Sequence, residues 1–371
     1  MKTNRAIVLR WAMTAAAVVA MIAAFAFESS AQVCGDVTDD NRVTASDALA
    51  VLKNAVGQPV ELICTDQCAA LEGRIAALEA LLANVSKAGD TLVVTGANVQ
   101  IVDGTGDTAG TPNGLGNLIV GYNEDVQGAQ AVRTGSHNIV VGTENGYSSY
   151  GGLVAGYSNS VTAPMATVTG GSGNEASGQY SSVTGGNDNF AMASGASVTG
   201  GASNTATAET ATVSGGTLNV GSGLNAFVGG GYENEASGEA ASVSGGDYNV
   251  ADGLDSAISG GRYNDAFEEA SSVSGGSDNQ ATGFIASVSG GNNNKASGTR
   301  SSVSAGINNE ASGNESSVTG GGSNLAGAER SSVTGGYFNT ASGQYSSVSG
   351  GSLRAVGGQD DWRAGDLFED N

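Results

Sequence analysis

Positive charge, proline, aromatic rings and histidine are all scarce in this chain. Of its 371 residues 14 are Lys or Arg against 36 Asp or Glu, a formal net charge of −22. Such a field repels nucleic acid and anionic lipid, and neither is expected as a partner. The lone histidine, His137, is expected in a surface turn. No G-x-S-x-G elbow, paired Cys-x-x-Cys or H-E-x-x-H motif occurs, so the chain is expected not to be an enzyme. With three prolines, 5% aromatic residues and 60 glycines, the composition would describe a linker or a disordered segment if it were aperiodic.

One long uncharged stretch exists, and it lies at the start. Lys2, Arg5 and Arg10 precede the alanine-rich run Trp11 to Phe27, and Ser29-Ser30-Ala31 offers small residues for cleavage. This is the pattern of a signal peptide, residues 1–31, and the run is at the short end for a spanning helix. No lipobox leucine precedes Cys34. The mature chain is thus expected to be secreted, extracellular or on the cell surface, with no membrane insertion after signal cleavage. Losing three basic residues and Glu28 takes the net charge from −22 to −24.

Residues 32–66 hold the loop DVTDDNRVTASD. Its alternate residues match a 12-residue calcium loop: Asp36, Thr38, Asp40, the carbonyl of Arg42, Thr44 and Asp47 at positions 1, 3, 5, 7, 9 and 12. Ca2+ requires several hard oxygens converging on one point, and a tight loop supplies them from alternate positions. An acidic Asx-rich turn capping a helix would read similarly. The amphipathic DALAVLKNAVG follows, with Pro59 just beyond Gly57 as a stop. Cys34 and Cys64 bracket this module, where a disulfide would stabilise a very small core by roughly 3 to 4 kcal/mol. Cys68 is left over, either a free thiol or an interchain one. With Asp at the last position and a helix entered directly, the segment resembles one repeat of a type I dockerin. That resemblance implies a structural Ca2+ and, as a partner, a cohesin-like protein; dockerins carry two such repeats, and this chain shows one.

In residues 67–87 Leu71, Ile75, Leu78, Leu82 and Val85 follow a 4, 3, 4, 3 spacing, a heptad seam with Cys68 at an a position, Arg74 at g and Glu79 at e. A short coiled coil making a homo-oligomer, or an amphipathic helix packed on its own chain, would produce that spacing. Residues 88–117 hold TLVVTGANVQIV from Thr91, which has strand propensity, and then loosen into DGTGDTAGTPNGLGN, read as a β linker and N-terminal cap. Gly104-Thr105-Gly106 has no P-loop lysine or helix after it.

Residues 118–352 carry the dominant signal. A branched apolar residue recurs every 15 residues at Val168, Val183, Val198, Val213, Val228, Val243, Ile258, Val273, Val288, Val303, Val318, Val333 and Val348. The unit reads V-[ST]-G-G-x-x-N-x-A-[ST]-G-x-x-[SA]-[ST], numbered 1 to 15 from the valine. Worn copies begin near Leu118, Ile139 and Leu153, at spacings of 21, 14 and 15. An unbroken short period means one unit stacked on copies of itself. The fold expected is mainly β: a parallel β-solenoid, or β-roll, of 15-residue coils, with the small α calcium-loop module and the coiled-coil helix ahead of it. At about 4.8 Å per coil the rod would be roughly 65 to 70 Å long. Valine at position 1 and alanine at position 9 should point inward. The glycines at 3, 4 and 11 should mark bends of positive φ or close contact between coils. Asparagine at position 7 (Asn174, Asn189, Asn204, Asn219, Asn234, Asn249, Asn264, Asn279, Asn294, Asn309, Asn324 and Asn339) should form an amide ladder along the axis. Residues 353–371 read as a C-terminal cap in which Trp362, Leu367 and Phe368 cover the last coil.

The small inward residues and the recurring S-V-x-G and x-A-x-G resemble the head repeat of trimeric autotransporter adhesins, the YadA-like left-handed β-roll, although that family's period is shorter. The resemblance implies a left-handed solenoid, a trimer and adhesion to a surface glycan or matrix ligand. Tyr180, Tyr232, Tyr248, Tyr263, Phe284, Tyr337, Phe338 and Tyr345 would lie near coil corners, where rings can stack on sugars or on a protein. The reading as a whole is an exported, non-enzymatic, adhesin-like rod with a calcium-binding N-terminal module. Its alternatives are a dockerin-type accessory component of an extracellular polysaccharide-degrading or cell-surface assembly and an ice-binding solenoid, the latter from the paired Ser/Thr columns at positions 15 and 2.

Overall fold

The computed structural model describes residues 65–126, 131–364 and 367–369, together with residues 48 and 49. Two compact units divide the chain between Val99 and Gln100. The expected signal segment, the expected calcium-loop residues Asp36, Thr38, Asp40, Arg42, Thr44 and Asp47, and Cys34 and Cys64 lie outside the described residues.

In the first unit an α-helix runs Thr65–Leu81, where alanine, leucine and glutamate favour helix. It contains Cys68, whose side chain is outside the described residues. A turn at Leu82–Asn84 ends it, and Val85–Ala88 pairs antiparallel with Thr91–Val94 across a bend at Gly89. The hairpin shortens the expected seam. Val85 is a strand residue and Leu82 a turn residue, because β-branched Val85, Val93 and Val94 gain more from pairing than from extending a helix. Leu71, Ile75 and Leu78 remain on the helix, each more than half exposed. The expected strand also stops at Val94, so Val99, Ile101 and Val102 lie in irregular chain.

The second unit is a parallel β-solenoid. Each regular coil makes three bonded runs. Positions 15 and 1 form a two-residue strand that pairs in register with the same positions 15 residues away, as in Ser182↔Ser197 and Val183↔Val198. Positions 8 and 9 form a second, as in Phe190↔Thr205 and Ala191↔Ala206. Position 5 makes a single bridge, repeated from Tyr157↔Ser172 to Tyr337↔Ser352. The first ladder begins with Leu118–Val120 on Ile139–Val141, and the second runs from Gly146–Tyr147 to Ala355–Val356.

The valines of position 1 and the alanines of position 9 are fully buried, as expected. A third inward column stands at position 14, where Ala196, Ala211, Ala226, Ala241 and Ala286 alternate with Ser181, Ser256, Ser271, Ser301, Ser316, Ser331 and Ser346. Most of these hydroxyls find no partner, whereas Ser331 donates to the Ala328 carbonyl at 2.7 Å.

The worn coils enter in a different register from the one their apolar residues suggest. Leu118, Ile139 and Leu153 align with Thr167 at position 15, and the inward residues are their neighbours Val140 and Val154. The spacing is therefore 21, 14 and 14. Ile139 is 42% exposed and Val140 0%, as a one-residue slip between strand faces requires. The shorter coils lack one residue between the valine and the turn glycine, V-V-G and V-A-G against V-T-G-G.

Glycine acts at fewer places than expected. Position 4 has positive φ in every regular coil, for example +94° at Gly246, where a Cβ would strike the Gly261 carbonyl and the Asn249 amide. Where glycine stands at position 11 it has ordinary φ and no room, as at Gly238, whose Cβ would meet the Gly253 carbonyl, whereas Ala193, Ala208, Glu268 and Ala328 fill that position in their own coils. Position 3 has room for a side chain, since a Cβ on Gly245 meets nothing within 4 Å and Ala305 occupies that position in its coil, although Gly215, Gly230 and Gly350 there have φ of +158°, +153° and +149°. The left-handed corners fall instead at positions 6 and 13 on ordinary residues, among them Leu218, Thr210 and Ile285.

At the far end the pairing continues past Ser352. Ser347–Gly350 carries Trp362–Ala364, and Leu367–Glu369 closes antiparallel on it. Trp362 stands at the outward position 15, 39% exposed, with its indole N–H donating to Ser349 Oγ at 2.9 Å. It therefore flanks the last coil instead of covering it.

Candidate functional surface

The asparagine column is the most regular construction in the solenoid, and its role is structural. The Asn249 N–H donates to Asn234 Oδ1 at 3.0 Å, and its Nδ2 donates to the Gly245 carbonyl at 3.1 Å and the Gly261 carbonyl at 3.0 Å. Amide-to-amide bonds of 3.0–3.2 Å join many successive members, as from Asn249 to Asn234. Each side chain thus ties a coil to both of its neighbours. All twelve expected asparagines take part, and Asn123, Asn145 and Asn159 extend the column upstream. These three stand in G-Y-N, G-T-E-N and G-Y-S-N, where the shortened coils obscure the period. Arg354 takes the next place, its backbone N–H donating to Asn339 Oδ1 at 3.0 Å.

His137 adopts the expected turn conformation, φ +57°, but its ring is half-buried and its Nε2 accepts the Asp103 backbone N–H at 3.2 Å. It fastens the irregular chain before the first coil.

Side-chain variety resides in the outward columns. At position 6, Tyr248 and Tyr263 stack with ring centroids 4.8 Å apart and planes 17° apart. Tyr232, from position 5 of the preceding coil, meets Tyr248 edge-on at 5.3 Å, and the Arg262 guanidinium lies 4.9 Å from the Tyr263 centroid. Hydrogen bonding to Glu233, then to Tyr248, pushes the Tyr232 phenol up to about 12. Beside the stack is an open trough of about 380 Å³ lined by Tyr248, Tyr263, Asp265, Asp278, Gln280 and Asn293. Four of these are position 6 in consecutive coils, and Asp265 and Gln280 are position 8 in adjacent coils. Gln280 Nε2 donates to Asp265 Oδ2 at 3.2 Å. Burial raises the Asp265 carboxyl above its ordinary value, with that hydrogen bond opposing and the nearby Asp278 charge adding to the rise. The sequence marks these tyrosines as corner residues; the trough becomes visible when positions 6 and 8 are read down the axis.

A second, apolar recess of about 330 Å³ lies among Ile307, Gly322 and Tyr337. Gly322 leaves room at position 5 for the Tyr337 ring, which meets Phe338 edge-on at 4.5 Å. On the position 13 corner, Glu315 accepts from Arg330 Nε at 2.7 Å, and Arg330 Nη1 donates to the Tyr345 hydroxyl at 2.8 Å. The hydrogen bond and charge of Arg330, with the charge of Arg300 adding to them, hold the Glu315 carboxyl below its ordinary value.

Among the described residues there is no group of three or more His, Cys, Asp or Glu side chains placed to hold a metal ion, and no helix is long and apolar enough to cross a membrane. No protein-family model matches the chain, and a search of curated proteins finds no significant match.

Proposed function

We propose that this chain is an exported, non-enzymatic display rod with an adhesin-like role, its solenoid holding outward side chains at fixed spacing for attachment to a surface glycan or matrix ligand. One observation carries the reading: the buried positions of the coil are occupied by a small set of scaffold residues, while the outward positions vary and gather into local patches such as the tyrosine trough. A calcium loop at Asp36, Thr38, Asp40, Arg42, Thr44 and Asp47, stapled by Cys34 and Cys64, would anchor the N-terminus. The exposed Leu71, Ile75 and Leu78 would join copies, as a trimer by resemblance to the YadA-like heads, with Cys68 as a possible interchain thiol.

The test is adhesion of labelled full-length chain to immobilised polysaccharides and to matrix proteins. Saturable retention on at least one coating supports the reading, and retention on none refutes it. Sedimentation of the same preparation reports the assembly, and a strictly monomeric species would remove the role given to the helix. Calorimetric titration with calcium should give heat that Asp36→Ala with Asp40→Ala abolishes.

A further inference from the structure

We propose that the trough beside Tyr248 and Tyr263 binds a neutral saccharide, a proposal that rests on the display reading and assigns it a ligand class. The wall of the trough is aromatic and fixed. Tyr248 makes a T-shaped contact with Tyr232 and stacks on Tyr263, and Arg262 lies 5.9 Å and 4.9 Å from the Tyr248 and Tyr263 centroids. Such rings offer a flat apolar surface with little mobility to lose, which suits the C–H face of a pyranose.

The remaining lining supplies what hydroxyl groups need. Asp265 and Asp278 contribute acceptors, while Gln280 and Asn293 contribute both donors and acceptors. The four position 6 residues, Tyr248, Tyr263, Asp278 and Asn293, share one backbone conformation, with φ of 57°, 54°, 58° and 53°. Their side chains therefore leave successive coils in the same direction, spaced by the solenoid step. A row of polar groups repeating at about 4.8 Å matches the reach between hydroxyls on one or two sugar rings. The volume of about 380 Å³ lies at the small end of ligand sites.

Charge chooses among ligands. Two aspartates line the trough, with Arg262 against its tyrosines and Lys295 beside Gln280 as the nearby cations, and the chain as a whole carries −22, so a neutral glycan is favoured over an anionic one. A cationic side chain is the competing occupant, because aromatic faces and carboxylates also attract cations. Two features disfavour it: Arg262 already lies against both tyrosines, and Asp265 is engaged by Gln280 in a setting where burial opposes its charge.

Elsewhere along the position 6 column no tyrosine occurs, and the one other aromatic residue is Phe338. The proposal therefore concerns one place on the rod.

The experiment is native affinity electrophoresis of the full chain through gels containing neutral β-glucan, galactomannan or xylan, with alginate as the anionic control and polylysine binding measured separately. Tyr263→Ala, Gln280→Ala and the distant Tyr337→Ala are run beside it, with circular dichroism confirming that each is folded. Retardation by at least one neutral polysaccharide is expected, weakened about tenfold by Tyr263→Ala, reduced by Gln280→Ala and unchanged by Tyr337→Ala. Retardation by alginate alone, binding of polylysine alone, or neutral-sugar binding that survives both trough substitutions would overturn the proposal. If the wild type and Tyr263→Ala adhere equally to the same coating in the adhesion assay, the display reading stands and the saccharide site falls. If the wild type binds nothing in either assay, both fall.

Discussion

At the scale of single residues, three glycines at different positions of the repeat have different physical duties. Gly246 combines φ of +94° with a site where a Cβ would strike backbone, so Gly246→Ala should destabilise by well over 1 kcal/mol. Gly245, with open space around it, should tolerate alanine. Gly221 interrupts the inward alanine column, and a Cβ there would meet Val213 Cγ2 at 3.5 Å and Ala211 Cβ at 3.6 Å, ordinary contacts. Gly221→Ala is expected to stabilise by about 1 kcal/mol, through lost chain entropy and a buried methyl. Urea denaturation of the three variants should rank them in that order of sign. Asn249→Ala removes the donor to two carbonyls and the acceptor for the Asn264 N–H. With each buried orphan worth about 1–3 kcal/mol, the loss should reach at least 3 kcal/mol, and hydrogen exchange at Asn264 should accelerate.

At the scale of elements, most of the solenoid is legible because period, side-chain size and burial agree: one valine, one alanine and one asparagine per coil lie where the 15-residue beat puts them. The entrance is less legible. Ile139 and Leu153 are larger than their inward neighbours Val140 and Val154, so side-chain size points one residue away from the buried position. Corners are also hidden, because left-handed backbone at positions 6 and 13 is held by bonds to adjacent coils, such as Asp278 N–H to the Arg262 carbonyl, and not by glycine. The trough escaped for a related reason: its residues lie 15 apart in sequence and touch only after stacking. Two outward carboxylates, Asp265 on a strand and Glu315 on a corner, should answer to pH with opposite signs. Burial raises Asp265, so its contribution favours the fold below the ordinary value of 3.8 and is lost as pH rises through the raised one. Glu315, lowered by Arg330, contributes above its ordinary value of 4.5 and loses that contribution as pH falls through the lowered one. Thermal melts at pH 7 should show Asp265→Asn above the wild type and Glu315→Gln below it, with both differences shrinking towards pH 3.

At the scale of the whole molecule, stability is a sum of coils and of the interfaces between them. Deleting residues 243–257 joins Ser242 to Ile258 and keeps every column in register. That protein should fold with an unchanged circular dichroism spectrum per residue and a slightly smaller denaturant m-value, whereas deleting 243–250 should leave a chain that cannot close its ladders. Because 36 acidic residues face 14 basic ones, self-repulsion opposes the compact state, and raising salt from about 10 to 150 mM should raise the melting temperature. The inward asparagine and valine columns have a further consequence for inheritance. Neighbouring coils are nearly the same text, so unequal recombination between their coding segments adds or removes whole turns without a frameshift in the fold. Rod length can change in a single genetic event, and a coil that carries a useful corner can be copied intact to a new height on the rod.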